Sequence, residues 1–267
     1  MNIIERNFFR LLRAGAFAIE EQIEPLSAWK WNRLFQLSEM HDVSPIVYKG
    51  IKRCSDQFFV QVPEALLQQW SLATSHGTDD NDLLLSDHLT NPILNHQLQN
   101  ILDSENSKTE TRTALLHLLG IARFILNAGI PVKRAIDFGV FLRHSNKKVD
   151  FDMLNSWIAQ LKLKKMAQLT AVILVRILNF TPKELPFMKP MTEEQMNQLI
   201  RHMFNQKNSH AEEWYFSQGK DIFVHTSNSQ AMLWHVRRSA QYLKYYPSEA
   251  MTNFFTSFAH SLSHIEE

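Results

Sequence analysis

The sequence contains a single cysteine, Cys54, and neither a Cys-x-x-Cys nor a His-Glu-x-x-His motif. An intrachain disulfide is therefore excluded, and a structural zinc site is not indicated. Long hydrophobic runs are also missing, because the most apolar stretch, 166–180, is shorter than the ~20 residues that span a bilayer and contains Arg176. The N-terminal segment mixes charged with apolar residues and has no signal-peptide cleavage site. We expect a cytoplasmic protein that does not enter a membrane and that buries 166–180 as a core helix.

The chain also lacks an excess of charge of either sign. Lysine and arginine together number 28 and aspartate and glutamate 27, which leaves a formal net charge of +1. No long-range field therefore draws the protein to nucleic acid or to anionic lipid, and binding of a polyanion would need a local basic patch. The length of 267 residues is enough to bury a sizeable core without a disulfide or a metal.

Strand signals are absent as well, since no alternating β-branched run and no Asn-Gly hairpin occurs in the sequence. Helix boundaries recur instead from end to end. Four prolines suit a first helical turn, and a serine or an asparagine precedes two of them as a cap. These prolines are Pro25, Pro45, Pro63 and Pro92, and the caps are Ser44 and Asn91. Thr192-Glu-Glu-Gln195 has the pattern of a capping box. The sequence predicts an all-α, multi-helix bundle.

The clearest amphipathic helix precedes Gly129 and Pro131, which mark its end, and a new helix is expected over 132–144. Its apolar stripe has helical spacing and consists of Leu115, Leu118, Leu119, Ala122, Ile125 and Leu126. A polar connector, 103–111, separates an N-terminal helical part, 1–103, from a C-terminal helical part, 112–267. We expect the N-terminal helices to pack on the longer C-terminal region as one compact unit.

Three stretches of the chain resemble the helical parts of a family of uncharacterised bacterial nucleotidyltransferases. The first carries Trp29 and Trp31, and then three motifs, which are His41-Asp-Val-Ser-Pro45, Tyr48-Lys-Gly-Ile51 and Pro63-Glu-Ala-Leu-Leu-Gln-Gln-Trp70. The second runs from Gly129-Ile130 through Arg134-x-x-Asp137 to Val149-Asp150, and the third is Tyr245-Tyr-Pro-Ser-Glu249. None of these motifs is catalytic. The resemblance therefore implies a relative with a helical framework, and not an activity.

Members of that family carry, between the first two stretches, a strand with a Gly-Asp-x-Asp motif that holds divalent metal ions. Paired carboxylates are needed there because two close cations must neutralise charge on the attacking and leaving oxygens. This chain contains no Gly-Asp-x-Asp. Its two Asp-x-Asp motifs, Asp80-Asn-Asp82 and Asp150-Phe-Asp152, each precede a helical pattern, where carboxylates cap the helix and complement its dipole. The resemblance thus implies the helical frame with a degenerate active site.

One group of candidate site residues surrounds Arg134 and Asp137, which are three residues apart on one helix face. An exposed ion pair between them would contribute ~0.2–0.5 kcal/mol. Alternatively, they line the cleft where the catalytic segment would have docked. In that case Phe138, Phe141 and Leu142 form an apolar surface there. Either the helices of residues 79–103 fold back over this surface, or a partner or a second copy of the chain covers it.

A second group contains Arg237, Arg238, Tyr242 and Lys244, a mixture of basic and aromatic residues that can bind phosphates and stack on bases. Basic stems that lie over aromatic rings in ordinary packing have the same helical spacing. Because the net charge provides no supporting field, packing is the favoured interpretation and nucleic acid is not the expected partner.

These observations favour a non-catalytic relative of the nucleotidyltransferases that acts as a protein-binding or scaffold module without a cofactor. No catalytic residue or metal ligand is assigned. The alternative is an active nucleotidyltransferase with relocated metal ligands, which would require Mg²⁺ and a nucleoside triphosphate. A second alternative is a helical nucleic-acid binder that uses the segment around Arg237.

Overall fold

The computed structural model describes residues 2–75, 87–104, 108–127, 132–197 and 243–263. Within these ranges the chain is helical and contains no β-strand, so the all-α prediction is confirmed. The helices are α1 (Ile3–Phe17), α2 (Ala28–Met40), α3 (Ser44–Arg53), α4 (Glu64–Ser75), α5 (Pro92–Leu102), α6 (Thr109–Asn127), α7 (Val132–Ser145), α8 (Phe151–Gln160), α9 (Lys164–Leu178) and α10 (Pro247–Ser263). Residues 193–197 begin a further helix.

Local side-chain caps fix several helix starts. The Asn91 side chain accepts a hydrogen bond from the N–H of Leu94, and Pro92 is the first residue of α5. Asp150 caps α8 by accepting from the N–H of Met153 at 2.9 Å. Thr192 and Gln195 form the reciprocal bonds of a capping box. Asp150 therefore serves a helix end, whereas Asp80 and Asp82 lie outside the described residues.

Two details of the predicted helix starts are wrong, although α3 does carry Pro45 in its first turn. Ser44 is the first residue of α3, and Val43 occupies the cap position without a side-chain bond. The Ser44 hydroxyl donates to the Glu39 carboxylate and lies 2.8 Å from the Ser38 hydroxyl, so contacts with α2 use it instead. Pro25 lies before α2 in the connector, and Ser27 occupies that cap position.

The chain forms two units whose membership does not follow chain order. Unit 1 consists of Met1–Leu84, Pro131–His144 and Ile173–Thr181, and unit 2 of Leu85–Ile130, Ser145–Val172 and Pro182–Glu267. The division expected from the polar connector, into 1–103 and 112–267, differs from this grouping. The reason is that α7 and the last part of α9 bury their apolar residues with the N-terminal helices.

In unit 1, α1 packs closely on α3 through two glycines. A Cβ at Gly50 would lie 2.1 Å from the carbonyl oxygen of Leu11, and a Cβ at Gly15 would lie 2.0 Å from that of Ile46. Only glycine permits such an approach of two backbones. The Tyr48-Lys-Gly-Ile51 motif therefore has a packing role.

Two tryptophans of the first stretch, Trp31 and Trp70, form core contacts in unit 1, whereas Trp29 is 69% exposed. Trp31 and Trp70 are fully buried, with ring centroids 6.4 Å apart in an edge-on arrangement. Trp70 also packs edge-on against Phe35 and donates its indole N–H to the hydroxyl of Ser38 at 3.1 Å. The first stretch of the resemblance thus consists largely of structural residues.

In unit 2, α6 packs on α8, and the predicted apolar stripe of α6 is buried as expected. Most of the run 166–180 lies in α9, which is largely buried as predicted and which extends from unit 2 into unit 1 at Ile173. Among the described residues, no helix combines the length and the apolar character that crossing a membrane requires.

The third stretch, Tyr245–Glu249, holds α10 in unit 2 through buried hydrogen bonds. The buried Tyr246 hydroxyl donates to the carbonyl oxygen of Leu161 at 3.0 Å. Glu249 is only 1% exposed, and its two carboxylate oxygens accept from the N–H groups of Thr90 at 2.7 Å and Asn91 at 2.9 Å. A carboxylate at this position complements the N-terminus of α5, where free N–H groups and the helix dipole favour negative charge.

Candidate functional site

The solvent face of α3 is basic. Lys49, Lys52 and Arg53 are exposed, and their i, i+3 and i+4 positions place them on one side of the helix. The opposite side, which includes Gly50 and Ile51, is buried against α1. Within the part of the chain that the structure describes, none of the three cations forms an ion pair. The Nζ of Lys52 lies 4.4 Å from the centroid of the Tyr48 ring, and all three side chains remain exposed to solvent.

The loop between α3 and α4 presents two aromatic rings to solvent. Phe58 is 79% exposed, the highest value for a large apolar side chain among the described residues, and Phe59 is 57% exposed. Their ring centroids are 5.3 Å apart and the ring planes are nearly perpendicular, at 82°. Aromatic pairs favour this edge-to-face arrangement. The two rings thus pack against each other while both remain exposed to solvent.

This loop is anchored to the connector between α1 and α2. The buried Cys54 thiol lies 3.6 Å from the carbonyl oxygen of Glu21. The Gln57 side chain donates to the same oxygen at 2.7 Å and accepts from the N–H of Ile23 at 3.0 Å. Burial raises the pKa of Cys54, which keeps the thiol protonated and makes it a structural anchor rather than a reactive group. The backbone that leads into Phe58 is consequently held in place.

Two successive turns keep the aromatic pair next to the end of α3. The N–H of Gln57 donates to the carbonyl of Cys54 at 3.2 Å, and the N–H of Val60 donates to the carbonyl of Gln57 at 2.9 Å. A turn of this kind keeps its first and last Cα atoms within about 7 Å of each other. We call the resulting region the basic-aromatic surface. It consists of Lys49, Lys52, Arg53, Phe58 and Phe59.

The first group of predicted site residues lies on α7. Burial raises the pKa of Asp137 to about 6, the positive charges of Lys133 and Arg134 oppose the shift, and the negative charge of Asp42 adds to it. The buried Oδ2 of Asp137 accepts no hydrogen bond. The Nζ of Lys133 contacts Oδ2 of Asp42 at 2.5 Å instead.

Two stretches of the resemblance thus meet in unit 1. Asp42 belongs to the turn after α2 and has a φ of 53°, a left-handed conformation that aspartate tolerates better than most residues. Lys133 and Asp137 are one helical turn apart, so Lys133 is shared between two carboxylates and contacts the more exposed one. This arrangement leaves Asp137 as a desolvated carboxyl group, which is a feature of functional sites as well as of structural networks.

The other predicted residues do not join this group at a surface. Phe138 and Leu142 are buried, which leaves them no surface to offer a partner, and Phe141 is half-buried. The exposed Lys244 lies with its Nζ 4.9 Å from the ring centroid of Tyr245, as in ordinary packing. Arg237, Arg238 and Tyr242 lie outside the described residues.

The sequence reasoning overlooked Phe58 and Phe59. The sequence does show an aromatic pair in the connector before Pro63, where a loop is expected. That position could have indicated exposed rings. Groups of three or more His, Cys, Asp or Glu side chains that could hold a metal ion do not occur in the ranges given above. No protein-family profile, curated protein or solved structure matches the chain.

Proposed function

We propose that this protein is a non-catalytic helical module that binds another protein through the basic-aromatic surface. The observation that carries the proposal is the exposure of Phe58 and Phe59 on an anchored loop. Aromatic side chains are enriched at protein interfaces, and a few such residues commonly provide most of the binding energy. The two rings are therefore the anchors of the interface.

The anchoring distinguishes this loop from a flexible one. A flexible loop would fold its phenylalanines back onto the nearest apolar surface, whereas the contacts of Cys54 and Gln57 hold the chain in its present course. Burial of a phenylalanine side chain stabilises by about 1.5–3 kcal/mol relative to exposure. That free energy is not used in the isolated protein, and a partner that covers the rings would gain it.

The resemblance supports the non-catalytic part of the proposal. Motifs that the chain shares with the nucleotidyltransferases serve packing here, as Trp31, Trp70, Gly50 and Glu249 illustrate. The Gly-Asp-x-Asp motif, which the resemblance associates with metal binding, does not occur in the sequence. A helical frame retained without that motif fits a binding role, for which neither Mg²⁺ nor a nucleoside triphosphate is needed.

Site-specific photo-crosslinking tests the proposal. The photoreactive residue p-benzoylphenylalanine replaces Phe58 in one variant and, as a matched control, Ile93 in unit 2, which is 72% exposed. We expect a discrete adduct with one protein in cells for the first variant, and loss of that adduct when Phe59→Ser is added. Equal adducts from both positions, or adducts that persist with Phe59→Ser, would show that this surface is not the binding site.

A further inference from the structure

Resting on the proposed function, we infer that the partner presents an apolar pocket with an acidic rim. In this arrangement Phe58 and Phe59 enter the pocket, while Lys49, Lys52 and Arg53 face carboxylates of the partner. The charge around the aromatic pair and the relative orientation of its two rings point to such a partner.

The charge of the surface is unbalanced. Helix α3 (Ser44–Arg53) carries three cations, Lys49, Lys52 and Arg53, and no carboxylate, although the whole chain is nearly neutral at +1. The nearest carboxylates along the chain are Asp42, which contacts Lys133, and Asp56 and Glu64. Lys52 and Arg53 lie in the last turn of α3, where the helix dipole favours cations, but Lys49 lies a turn earlier. The dipole therefore does not account for the whole group. Complementary carboxylates on a partner would speed association and select against basic proteins.

The ring geometry argues against a single-stranded nucleic acid as the occupant. Bases stack on aromatic side chains whose faces they can cover one after another. The rings of Phe58 and Phe59 are nearly perpendicular, at 82°, so they do not present parallel faces to successive bases. A perpendicular pair has the shape of a wedge, which fits between the apolar side chains along one face of an amphipathic helix.

Selection from a phage-displayed library of random dodecapeptides tests the inference without knowledge of the partner. The full-length protein is immobilised, and enriched peptides are synthesised and measured by fluorescence anisotropy. We expect them to combine aspartate or glutamate with large apolar residues. The Phe58→Ser/Phe59→Ser variant should abolish their binding. The Lys49→Glu/Lys52→Glu/Arg53→Glu variant should weaken it by about tenfold or more, and added salt should weaken binding to wild type.

The controls separate the inference from the proposed function. Reversal of three exposed lysines outside the surface, Lys147, Lys164 and Lys183, should leave the affinity within about twofold. Circular dichroism confirms that each variant is folded. Peptides that need the phenylalanines but lack acidic residues, and that bind the charge-reversed variant equally well, would overturn the acidic partner and leave the proposed function intact. Absence of any phenylalanine-dependent peptide would contradict both, as would a labelled oligonucleotide that binds this surface more tightly than the peptides.

Discussion

Two carboxylates, Asp137 and Glu249, show opposite consequences of burial. Both oxygens of Glu249 accept backbone N–H groups at the start of α5, so its charge is satisfied. Asp137 has a buried oxygen without a donor, and its neighbour Lys133 is engaged by Asp42. A buried polar group stabilises the fold only when it is hydrogen-bonded. Glu249 should therefore contribute stability, and Asp137 should reduce stability when it is ionised.

Asp137→Asn is expected to stabilise the protein above about pH 6 and to have little such effect near about pH 4. Because burial raises the folded-state pKa of Asp137 from 3.8 to about 6, folding favours the protonated carboxyl. The wild type therefore loses stability as the pH rises through this window, by at most roughly 3 kcal/mol. The neutral asparagine avoids that loss. Urea unfolding at the two pH values measures the difference.

Asp42→Asn is the matched control for this titration. It removes a negative charge that raises the pKa of Asp137 and releases Lys133, so the pKa of Asp137 should fall. The pH-dependent loss of stability should then become smaller. If the advantage of Asp137→Asn over the wild type is the same at both pH values, ionisation of Asp137 is not its cause.

Glu249→Ala is expected to lower the free energy of unfolding by roughly 2–5 kcal/mol, because two backbone N–H groups lose their acceptor. Met251→Ala on the exposed side of the same helix should change it by less than about 0.5 kcal/mol. Thermal or urea unfolding of the two variants provides the comparison. Equal effects of the two substitutions would mean that the contacts of Glu249 do not hold α10.

At the scale of elements, the contact between α1 and α3 depends on glycine. Gly50 faces the backbone of Leu11, whereas Gly139 faces the side chains of Leu178 and Phe180. A backbone cannot move without shifting a whole helix, but a leucine side chain can change its rotamer. The same glycine-to-alanine substitution should therefore have different consequences at the two positions.

Gly50→Ala is expected to destabilise unit 1 by about 1–3 kcal/mol or more, since the added Cβ would lie 2.1 Å from a backbone oxygen. Gly139→Ala should be nearly neutral. Its Cβ would lie 2.8 Å from Leu178 Cδ1, but that side chain can change its rotamer, and alanine favours the helix over glycine by about 1 kcal/mol. Urea unfolding of both variants tests the difference. A Gly50→Ala protein as stable as Gly139→Ala would contradict the close packing of α1 on α3.

Helix ends were predictable because their signals are local. Asn91, Asp150 and Thr192 cap helices through bonds to residues three positions ahead, which a sequence displays directly. Ser44 failed as a cap because a residue of another helix, Ser38, engages its hydroxyl. An amphipathic pattern identifies the apolar face of a helix but not the helix that covers it. The contact of Lys133 with Asp42 therefore could not be foreseen.

The candidate surface escaped prediction for a related reason. Hydrophobic residues are assigned to the core by default, and Phe58 and Phe59 depart from that rule. Their exposure depends on the contacts of Cys54 and Gln57 with the connector between α1 and α2. Conversely, the resemblance to a nucleotidyltransferase family predicted Phe138 at a cleft, whereas it is fully buried.

For the whole molecule, the sequence order of helices does not determine which of them share a core. Unit 1 combines the N-terminal helices with Pro131–His144 and Ile173–Thr181. These segments contribute buried residues such as Phe138 and Leu178, and Arg13 donates to the carbonyl oxygen of Ile177 at 3.0 Å. A chain that returns to its first unit twice cannot be divided by a polar connector alone.

The purified protein is expected to transfer no nucleotide from ATP, GTP, CTP or UTP to itself or to another protein with Mg²⁺ or Mn²⁺. Nucleotidyl transfer of this kind relies on paired carboxylates that hold metal ions on the triphosphate, and the sequence has no Gly-Asp-x-Asp. Incorporation of a radiolabelled nucleotide is the measurement. Labelling that disappears with Asp150→Asn or Asp152→Asn would establish the enzymatic alternative instead.

The most direct test of the central claim is the affinity of the partner captured at Phe58, measured by calorimetry with purified proteins. Phe58→Ser/Phe59→Ser should weaken binding by about a hundredfold or more, since interface anchors commonly contribute 2 kcal/mol or more each. Ile93→Ser, a change of an equally exposed apolar residue in unit 2, should leave the affinity unchanged. If the double variant binds the partner as tightly as the wild type, the basic-aromatic surface is not the binding site.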